Sequence, residues 1–316
     1  PFESLDLQPQ SHSKILFPDR SLHFTNNFDY FVDQIQQNFA TSFNAFQHLL
    51  QKMESFPAYS VNAEELSTRK VLQESGIDPL LAEMLLCPTC YYGSAQSNDI
   101  DFPTFVMLFD AIFRQGLARP RNGIRAILDP LCKKLKELGV ERRMNTAVKR
   151  LHSKNNKIEE IELESGESIF ADQIISTCGV VETELILGND YASNEHPEVG
   201  DFSVIESISV IEGKPTDYGW DETVIFFNDS ESFHYQCPED YVDLRSGVIC
   251  LPQNYQLNSD CSEFKLRITH PANFSKWEGL TEKSYLSEKE HFQDKILQNG
   301  LEYLDNSKIN KNFFTQ

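Results

Sequence analysis

The chain has 316 residues, of which 40% are hydrophobic, and a formal net charge of -20. This size and composition predict one large or two ordinary domains with hydrophobic cores and argue against a disordered chain. The acidic balance argues against a nucleic-acid partner, because Lys and Arg supply most of the affinity for phosphates. No run of 18 apolar residues predicts a membrane span. Seven irregularly spaced cysteines favour a reducing, cytoplasmic location over a disulfide framework.

The N-terminal region is predicted to begin with a β-hairpin and to continue as a long helix. Apolar and polar residues alternate from Lys14 to Phe24 around a turn at Pro18–Asp19, as in a hairpin. From Phe28 to Phe56, large apolar residues recur at spacings of three and four, which predicts one amphipathic helix of more than six turns. This aromatic stripe fits core packing, and it also fits the wall of a tunnel for an isoprenoid chain.

Residues 62–117 are predicted to form short helices. Proline begins or ends helices, so boundaries are expected at Gly76–Pro79, Cys87–Pro88 and Phe102–Pro103. The Cys87–Cys90 pair has neither a second pair at zinc-finger spacing nor a preceding redox-type strand, so we expect no metal or disulfide chemistry there. The apolar cluster at residues 80–86 fits either core packing or a peripheral membrane contact.

The centre of the chain, residues 119–178, predicts a helix followed by short strands. Apolar residues at helical spacing precede Gly139, a helix-capping glycine: Ile124, Ile127, Leu128, Leu131, Leu135 and Leu138. Val148–Leu151 and Ile158–Leu163 predict strands joined by polar turns, and Ile174–Ile175 predicts a buried strand. Residues 119–150 carry ten Lys or Arg and three Asp or Glu. This basic segment fits a diphosphate ligand, but a solvated helix face is the preferred interpretation.

The C-terminal region is predicted to be β-rich. After a short segment, 180–188, and a polar loop, 189–200, three runs separated by turn residues predict an antiparallel sheet: Phe202–Glu212, Thr223–Asn228 and Gly247–Pro252. Leu286–Leu304 predicts a last amphipathic helix. His234, His270 and His291 occur singly, so we expect them to be surface or structural residues.

The motif order in residues 119–178 resembles a nucleotide-binding segment of the two-domain FAD oxidoreductases. It is most similar to the branch of phytoene desaturases, carotenoid isomerases and retinol saturases within the flavin amine oxidase superfamily. The matching residues are Pro120, Gly123, Gly139–Val140, Val148, Gly166, Ala171–Asp172 and Ser176. Asn122 replaces the first glycine of the family's pair, which makes a close backbone approach to the flavin there less certain.

The resemblance implies an α/β and α+β architecture. Part of a Rossmann-like FAD-binding domain, residues 119–190, would join a substrate domain of antiparallel sheet plus helices, formed by residues 1–118 and 191–316. FAD would be contacted, mostly through backbone groups, by Pro120, Gly123, Val148, Ser176 and Thr177. Tyr92-Gly93-Ser94 would lie near the substrate. The resemblance assigns no catalytic residue, and in a flavin enzyme the cofactor itself carries the redox chemistry.

Two signatures of such an enzyme are missing from the sequence. No Gly-x-Gly-x-x-Gly motif occurs, although its glycines allow a helix N-terminus to approach a pyrophosphate. The family's closing flavin-contacting segment is not found either. We therefore expect an internal piece of a longer flavoprotein that lacks both flavin-binding ends; the alternative is a short homologue that has lost the cofactor.

Three functional hypotheses follow. The first is an FAD-dependent oxidoreductase or isomerase that desaturates, saturates or isomerises a carotenoid-like polyene or another long hydrophobic substrate, in contact with a membrane surface that it does not span. The second is an amine-oxidase-like flavoprotein. The third is a cofactor-free module that binds a lipid or a protein partner.

Overall fold

The computed structural model describes residues 5–155, 157–188, 202–255 and 262–304, together with the backbone of 314–315. Its contacts divide the chain into two compact units, Pro1–Ala126 with Gly200–Gln316 and Ile127–Val199. The predicted domain boundaries after residues 118 and 190 remain predictions.

The described residues form both helices and strands. The helices are α1 (Phe28–Asn38), α2 (Phe43–Ser55), α3 (Thr68–Glu74), α4 (Pro79–Gly93), α5 (Phe102–Phe109), α6 (Arg125–Glu137), α7 (Val180–Leu187), α8 (Phe274–Glu278) and α9 (Glu282–Glu302). The strands are β1 (Leu7–Pro9), β2 (Ser13–Phe17), β3 (Arg20–Phe24), β4 (Ala118–Pro120), β5 (Val148–Lys154), β6 (Lys157–Leu163), β7 (Ser168–Ile169), β8 (Ser203–Glu212), β9 (Val224–Asn228), β10 (Ser246–Cys250), β11 (Glu263–Ala272) and β12 (Phe314–Thr315). This mixture of helix and sheet is the predicted fold class.

In the described part of the chain, seven strands of the first unit form one sheet in the order β12-β8-β11-β10-β9-β2-β3. The predicted hairpin is confirmed, since Phe17 pairs with Arg20 across the two-residue loop Pro18–Asp19. The predicted antiparallel pairing is confirmed for β9 with β10. β2 instead pairs in parallel with β9, so the sheet is mixed.

The first core lies between one face of this sheet and helices α1–α5. Alternate strand residues such as Ile15, Phe17 and Phe226 point into it and are buried. The predicted single helix over 28–56 is wrong: α1 ends at Asn38, and Phe39 leaves helical geometry at φ -134° and ψ 48°. The aromatic stripe packs in this core, where the Phe31 ring stacks on Phe113 with centroids 4.3 Å apart.

Helix α4 corrects two further expectations. It runs from Pro79 to Gly93 through Pro88, so the predicted boundary at Cys87–Pro88 is wrong. Burial of this turn in the core offsets the hydrogen bond that proline removes, and the Thr89 hydroxyl donates to the carbonyls of residues 85 and 86 at 3.0 Å. Cys87 is also fully buried, and burial raises the pKa of its thiol. The thiol is therefore protonated and packs as a small apolar group.

Most of the apolar cluster on α4 lies in the core, whereas Leu80 near its start is only partly buried. Leu81, Met84, Leu85 and Leu86 each have 0% of their surface exposed. No helix in the described part of the chain has the length and apolar character needed to cross a bilayer.

The second core lies on the opposite face of the sheet, beneath α9. Leu16, Ile225 and Phe227 alternate with the strand residues of the first core and point to this side. The predicted C-terminal helix is confirmed by α9, which buries Phe292, Ile296, Leu297, Gly300 and Leu301 against the sheet.

The second unit contains most of α6, a three-stranded sheet of β5, β6 and β7, and α7. Helix α6 ends where predicted, with Gly139 at φ +73°. The two predicted strands are confirmed as the antiparallel pair β5 and β6. The predicted buried strand at Ile174–Ile175 is wrong, because Ile175 lies outside any strand and is 89% exposed. Within the described residues, no strand pairs with Ile174–Ile175, and a β-strand needs hydrogen-bonded backbone groups.

Candidate functional site

The sheet of the first unit has an open half on the face that carries the first core. Helices contact β2, β3 and β9 on this face, and the face continues across β10, β11 and β8. Strand register places two rows of side chains on it, because directly opposed residues point to the same side. The rows are Phe226, Val248, Thr269 and Glu206, and Val224, Cys250, Arg267 and Ile208. Val224 and Phe226 are buried in the first core. We call the residues of these rows on β8, β10 and β11, together with Tyr92 and Tyr255, the open face.

An ion pair fixes the polar part of the open face. Arg267 Nη2 donates to both carboxylate oxygens of Glu206, at 2.8 and 2.7 Å, and these side chains are 43% and 35% exposed. The hydrogen bond that Arg267 donates to Glu206 raises the pKa of the guanidinium, which therefore stays charged. Its Nε atom is buried and has no hydrogen-bond partner among the described residues. The pair therefore offers an oriented, partly exposed cation, although the buried Nε itself is out of a ligand's reach.

Aromatic and thiol groups border this ion pair. Tyr92, at the end of α4, is 49% exposed and sets its ring edge-on to Phe226 at 5.7 Å. Burial raises the pKa of the Cys250 thiol to about 11, although Arg267 and Arg119 lower it. Burial likewise raises the pKa of Tyr255 to about 12. Both groups are neutral near pH 7, so Cys250 is not a thiolate nucleophile.

Chemically, the open face can bind and orient an organic molecule rather than transform one unaided. The exposed parts of Tyr92 and Ile208 offer apolar contact area, and the guanidinium offers directional hydrogen bonds. The strands hold these groups rigidly, as a binding site requires.

Sequence reasoning found only the Tyr92 segment of this site. Glu206 and Arg267 lie 61 residues apart and meet only through the pairing of β8 with β11. The alternation of polar Lys265, Arg267 and Thr269 with apolar neighbours does carry the signature of a strand. That signal could have predicted β11, but not the identity of the strand beside it.

The predicted cofactor residues Pro120 and Gly123 belong to the first unit. Pro120 ends β4, which pairs with β1. Gly123 has φ +63° and donates its N–H to the Pro120 carbonyl at 2.8 Å. A Cβ added at Gly123 would meet no atom nearer than 3.9 Å. The backbone of this turn is open to close approach, despite Asn122 beside it.

The predicted cofactor residues Val148, Ser176 and Thr177 belong to the second unit. Val148 begins β5 and is 39% exposed. Ser176 and Thr177 are exposed, and the Ser176 hydroxyl lies 2.7 Å from the Thr183 hydroxyl on α7. Because α7 also contacts β5, both segments adjoin the same helix.

The space at Gly123 is compatible with a cofactor approached through the backbone. The assignment of all five positions to FAD remains a prediction. The residues do not include a glycine-rich turn before a helix that would receive the pyrophosphate.

Comparison with known families identifies the chain. The sequence profile of the flavin-containing amine oxidoreductases matches residues 21–187, more than half of the chain. The chain belongs to this family. The family contains flavin, which is consistent with FAD as the cofactor.

Solved structures share the fold of this family member. An oxidoreductase from Methanosarcina mazei is 12% identical with a TM-score of 0.61, and the match covers 98% of this chain and 68% of that one. The PF1083 protein from Pyrococcus furiosus is 15% identical with a TM-score of 0.54, and the match covers 92% of this chain and 66% of that one. A putrescine oxidase double mutant is 12% identical with a TM-score of 0.51, and the match covers 99% of this chain and 69% of that one. The chain therefore spans about two thirds of the length of these structures.

A RAB GDI from Plasmodium falciparum is also similar, with 11% identity, a TM-score of 0.52, and coverage of 99% of this chain and 67% of that one. No curated protein matches the sequence significantly. Together with the profile, the two oxidoreductase structures support an oxidoreductase assignment, without selecting the phytoene desaturase branch.

Proposed function

We propose that this protein is an FAD-dependent oxidoreductase whose substrate binds against the open face. The observation that carries the proposal is the Glu206–Arg267 pair beside Tyr92 on an uncovered, rigid half of the sheet. Bound FAD would supply the hydride or electron chemistry. The open face would bind and orient the substrate and would exclude water from its apolar part.

The substrate that suits this surface is a long hydrophobic molecule, such as a carotenoid-like polyene, with a polar or anionic end. Tyr92 and Ile208 would contact the apolar chain, and the exposed part of the Arg267 guanidinium would donate to the polar end. An amine substrate suits it less well. The carboxylate of Glu206 is already neutralised by Arg267, and the guanidinium would repel an ammonium group.

Binding of all-trans retinol, a polyene with a polar end, tests this proposal. We expect the purified chain to increase retinol fluorescence with saturation. Tyr92→Ala should weaken binding at least tenfold, because it removes an aromatic contact. Tyr59→Ala is the matched control, since Tyr59 is 80% exposed and lies outside the open face. Equal affinities of the two variants would contradict the site.

The redox step needs a separate measurement on the complete protein loaded with FAD. Under anaerobic conditions, a polyene that is desaturated should bleach the flavin absorbance, whereas benzylamine should not. Bleaching by benzylamine alone would support the amine-oxidase alternative. Bleaching by neither compound would leave oxidative desaturation and amine oxidation unsupported.

A cofactor-free binding module is the second candidate. One similar structure is named RAB GDI rather than an oxidoreductase, so the fold by itself does not establish catalysis. In that case retinol binding would persist while the complete protein, and not only these 316 residues, takes up no FAD under any loading condition.

Peripheral membrane contact also remains a proposal, although most of the cluster predicted to make it is buried. It rests on the hydrophobic character of the proposed substrate. Flotation with liposomes tests it: protein that stays in the soluble fraction with and without retinol contradicts it.

A further inference from the structure

A cluster of side chains that can act as metal ligands lies on the sheet face opposite the open face. His12 directly precedes β2, His23 lies on β3, and Asp221 and Glu222 precede β9. Lys14 pairs with His23 across the hairpin. Ser13 pairs with Val224, and Val224 pairs with Cys250, so Ser13 lies on the same side of the sheet as the open face. Successive side chains of a strand point to opposite sides, so Lys14 and its partner His23 point away from the open face.

Hydrogen bonds hold the two segments of this cluster together. The Thr223 N–H donates to the His12 carbonyl at 2.7 Å, and the Ser11 hydroxyl donates to the Asp221 carbonyl at 2.6 Å. The ligand atoms are therefore brought together by fixed backbone rather than by free loops.

The distances suit a single cation. His12 Nε2 lies 3.9 Å from Asp221 Oδ1, and the ligand atoms of His12, Asp221 and Glu222 all lie within 4.8 Å of one another. The imidazole rings of His12 and His23 have centroids 6.1 Å apart. With Zn–N distances of about 2.0–2.1 Å, two imidazoles on one Zn²⁺ have centroids roughly 5–6 Å apart. His23, whose ring neighbours that of His12, is the candidate for a fourth ligand.

We propose that His12, His23, Asp221 and Glu222 bind a divalent transition-metal ion of the Zn²⁺ type. Two imidazoles and two carboxylates form a nitrogen and oxygen donor set that suits Zn²⁺ better than Mg²⁺, which prefers oxygen ligands in an octahedron. The ion would link the N-terminal hairpin to the segment before β9. It would therefore stabilise the sheet from the side opposite the open face.

Lys14 is the group that competes with the metal. Its ammonium bonds the Glu222 carboxylate, and the two side chains are only 17% and 14% exposed. Without metal, this lysine neutralises Glu222, so a bound cation must displace it from the carboxylate. Removing the Lys14 charge should therefore strengthen metal binding.

Calorimetric titration of Zn²⁺ into the full 316-residue chain, with thermal unfolding alongside, tests the proposal. We expect one ion per chain, a raised unfolding temperature with Zn²⁺ and no rise with Mg²⁺. His12→Ala and His23→Ala should each weaken binding at least tenfold. Lys14→Met should tighten it severalfold. His48→Ala, an exposed histidine on α2, is the matched control and should leave the affinity unchanged.

Three outcomes would overturn the metal site: no Zn²⁺ binding by the unaltered chain, equal affinity in the His12→Ala variant, or an equal loss in the His48→Ala control. Unfolding temperatures measured without metal show whether each variant is folded. Should His12→Ala fail to fold, the affinity of Lys14→Met decides instead. An affinity no tighter than that of the unaltered chain would then overturn the proposal.

Discussion

His270 couples the stability of the sheet to pH. Its side chain is 0% exposed, and its Nδ1 bonds the Ser246 carbonyl at 2.8 Å. Burial lowers the pKa of His270 from 6.5 to about 4. Between those pH values the unfolded chain binds a proton that the folded chain does not, so the unfolding free energy falls as pH falls. Protonation of this single group can lower the unfolding free energy by at most about 3 kcal/mol.

Urea unfolding at several pH values between 7 and 4.5 measures this effect. We expect His270→Leu to lower stability at pH 7, because it leaves the Ser246 carbonyl unpaired, and also to flatten the pH dependence. His48→Leu, at an exposed position, should keep the original slope. Identical slopes in all three proteins would contradict the role assigned to His270.

Glu83 joins three parts of the first unit through one carboxylate. Its Oε2 accepts from Arg69 Nη2 at 2.8 Å and from the Phe233 N–H at 3.2 Å. Glu83→Gln removes the charge that these donors face, so we expect a loss of about 1–3 kcal/mol in unfolding free energy. Glu74→Gln is the control, since Glu74 and its partner Lys70 are exposed and 4.0 Å apart. Equal stability of the two variants would contradict the prediction.

Strand β10 passes so close to its neighbours that one position has no room for a side chain. A Cβ at Gly247 would lie 2.6 Å from the Phe227 ring and 2.7 Å from the Thr269 carbonyl oxygen. The carbonyl belongs to the paired strand and does not yield easily, so Gly247→Ala should destabilise by about 1–3 kcal/mol. In Gly279→Ala the nearest atom is 3.6 Å away, and thermal unfolding should show little change.

Helices and hairpins were predictable where local signals decide them. The loop Pro18–Asp19 and the capping glycine Gly139 are local, and both predictions are confirmed. The break at Phe39 and the continuation of α4 through Pro88 depend on tertiary packing, which overrides periodicity and proline rules. The parallel pairing of β2 with β9 has no local signature at all.

The candidate site was less predictable than the elements that carry it. The resemblance to flavoproteins led to the Tyr92 segment, whose ring borders the open face. The Glu206–Arg267 pair forms only when β8 and β11 are placed side by side. Register between distant strands is set by long-range packing, so no sequence motif predicts this ion pair.

For the molecule as a whole, we expect the 316-residue chain purified by itself to be colourless and to self-associate. It has no Gly-x-Gly-x-x-Gly turn to bind a pyrophosphate. The apolar stripe of α6 is partly exposed, with Leu128 at 41% and Leu131 at 58%. Such a patch favours association. Absorbance in the flavin region and size-exclusion chromatography test both expectations.

The matched variant for this test is Leu131→Glu, which places a charge on the α6 stripe. It should shift the chain toward monomer without restoring flavin. A yellow, monodisperse preparation of the unaltered chain would contradict both the association and the cofactor prediction.

Because β2 pairs with β9, the ribosome makes β2 long before it makes the strand that β2 pairs with. Ser11 and Thr223, which lie beside each other at this junction, are 212 residues apart in the chain. The phenylalanine-rich helices emerge from the ribosome roughly 100 residues before β9, whose Phe226 completes their core. At about 5–20 residues per second, that interval is roughly 5–20 s. During each round of translation the nascent chain therefore presents an unfinished aromatic core, a target for chaperones that bind exposed hydrophobic surface.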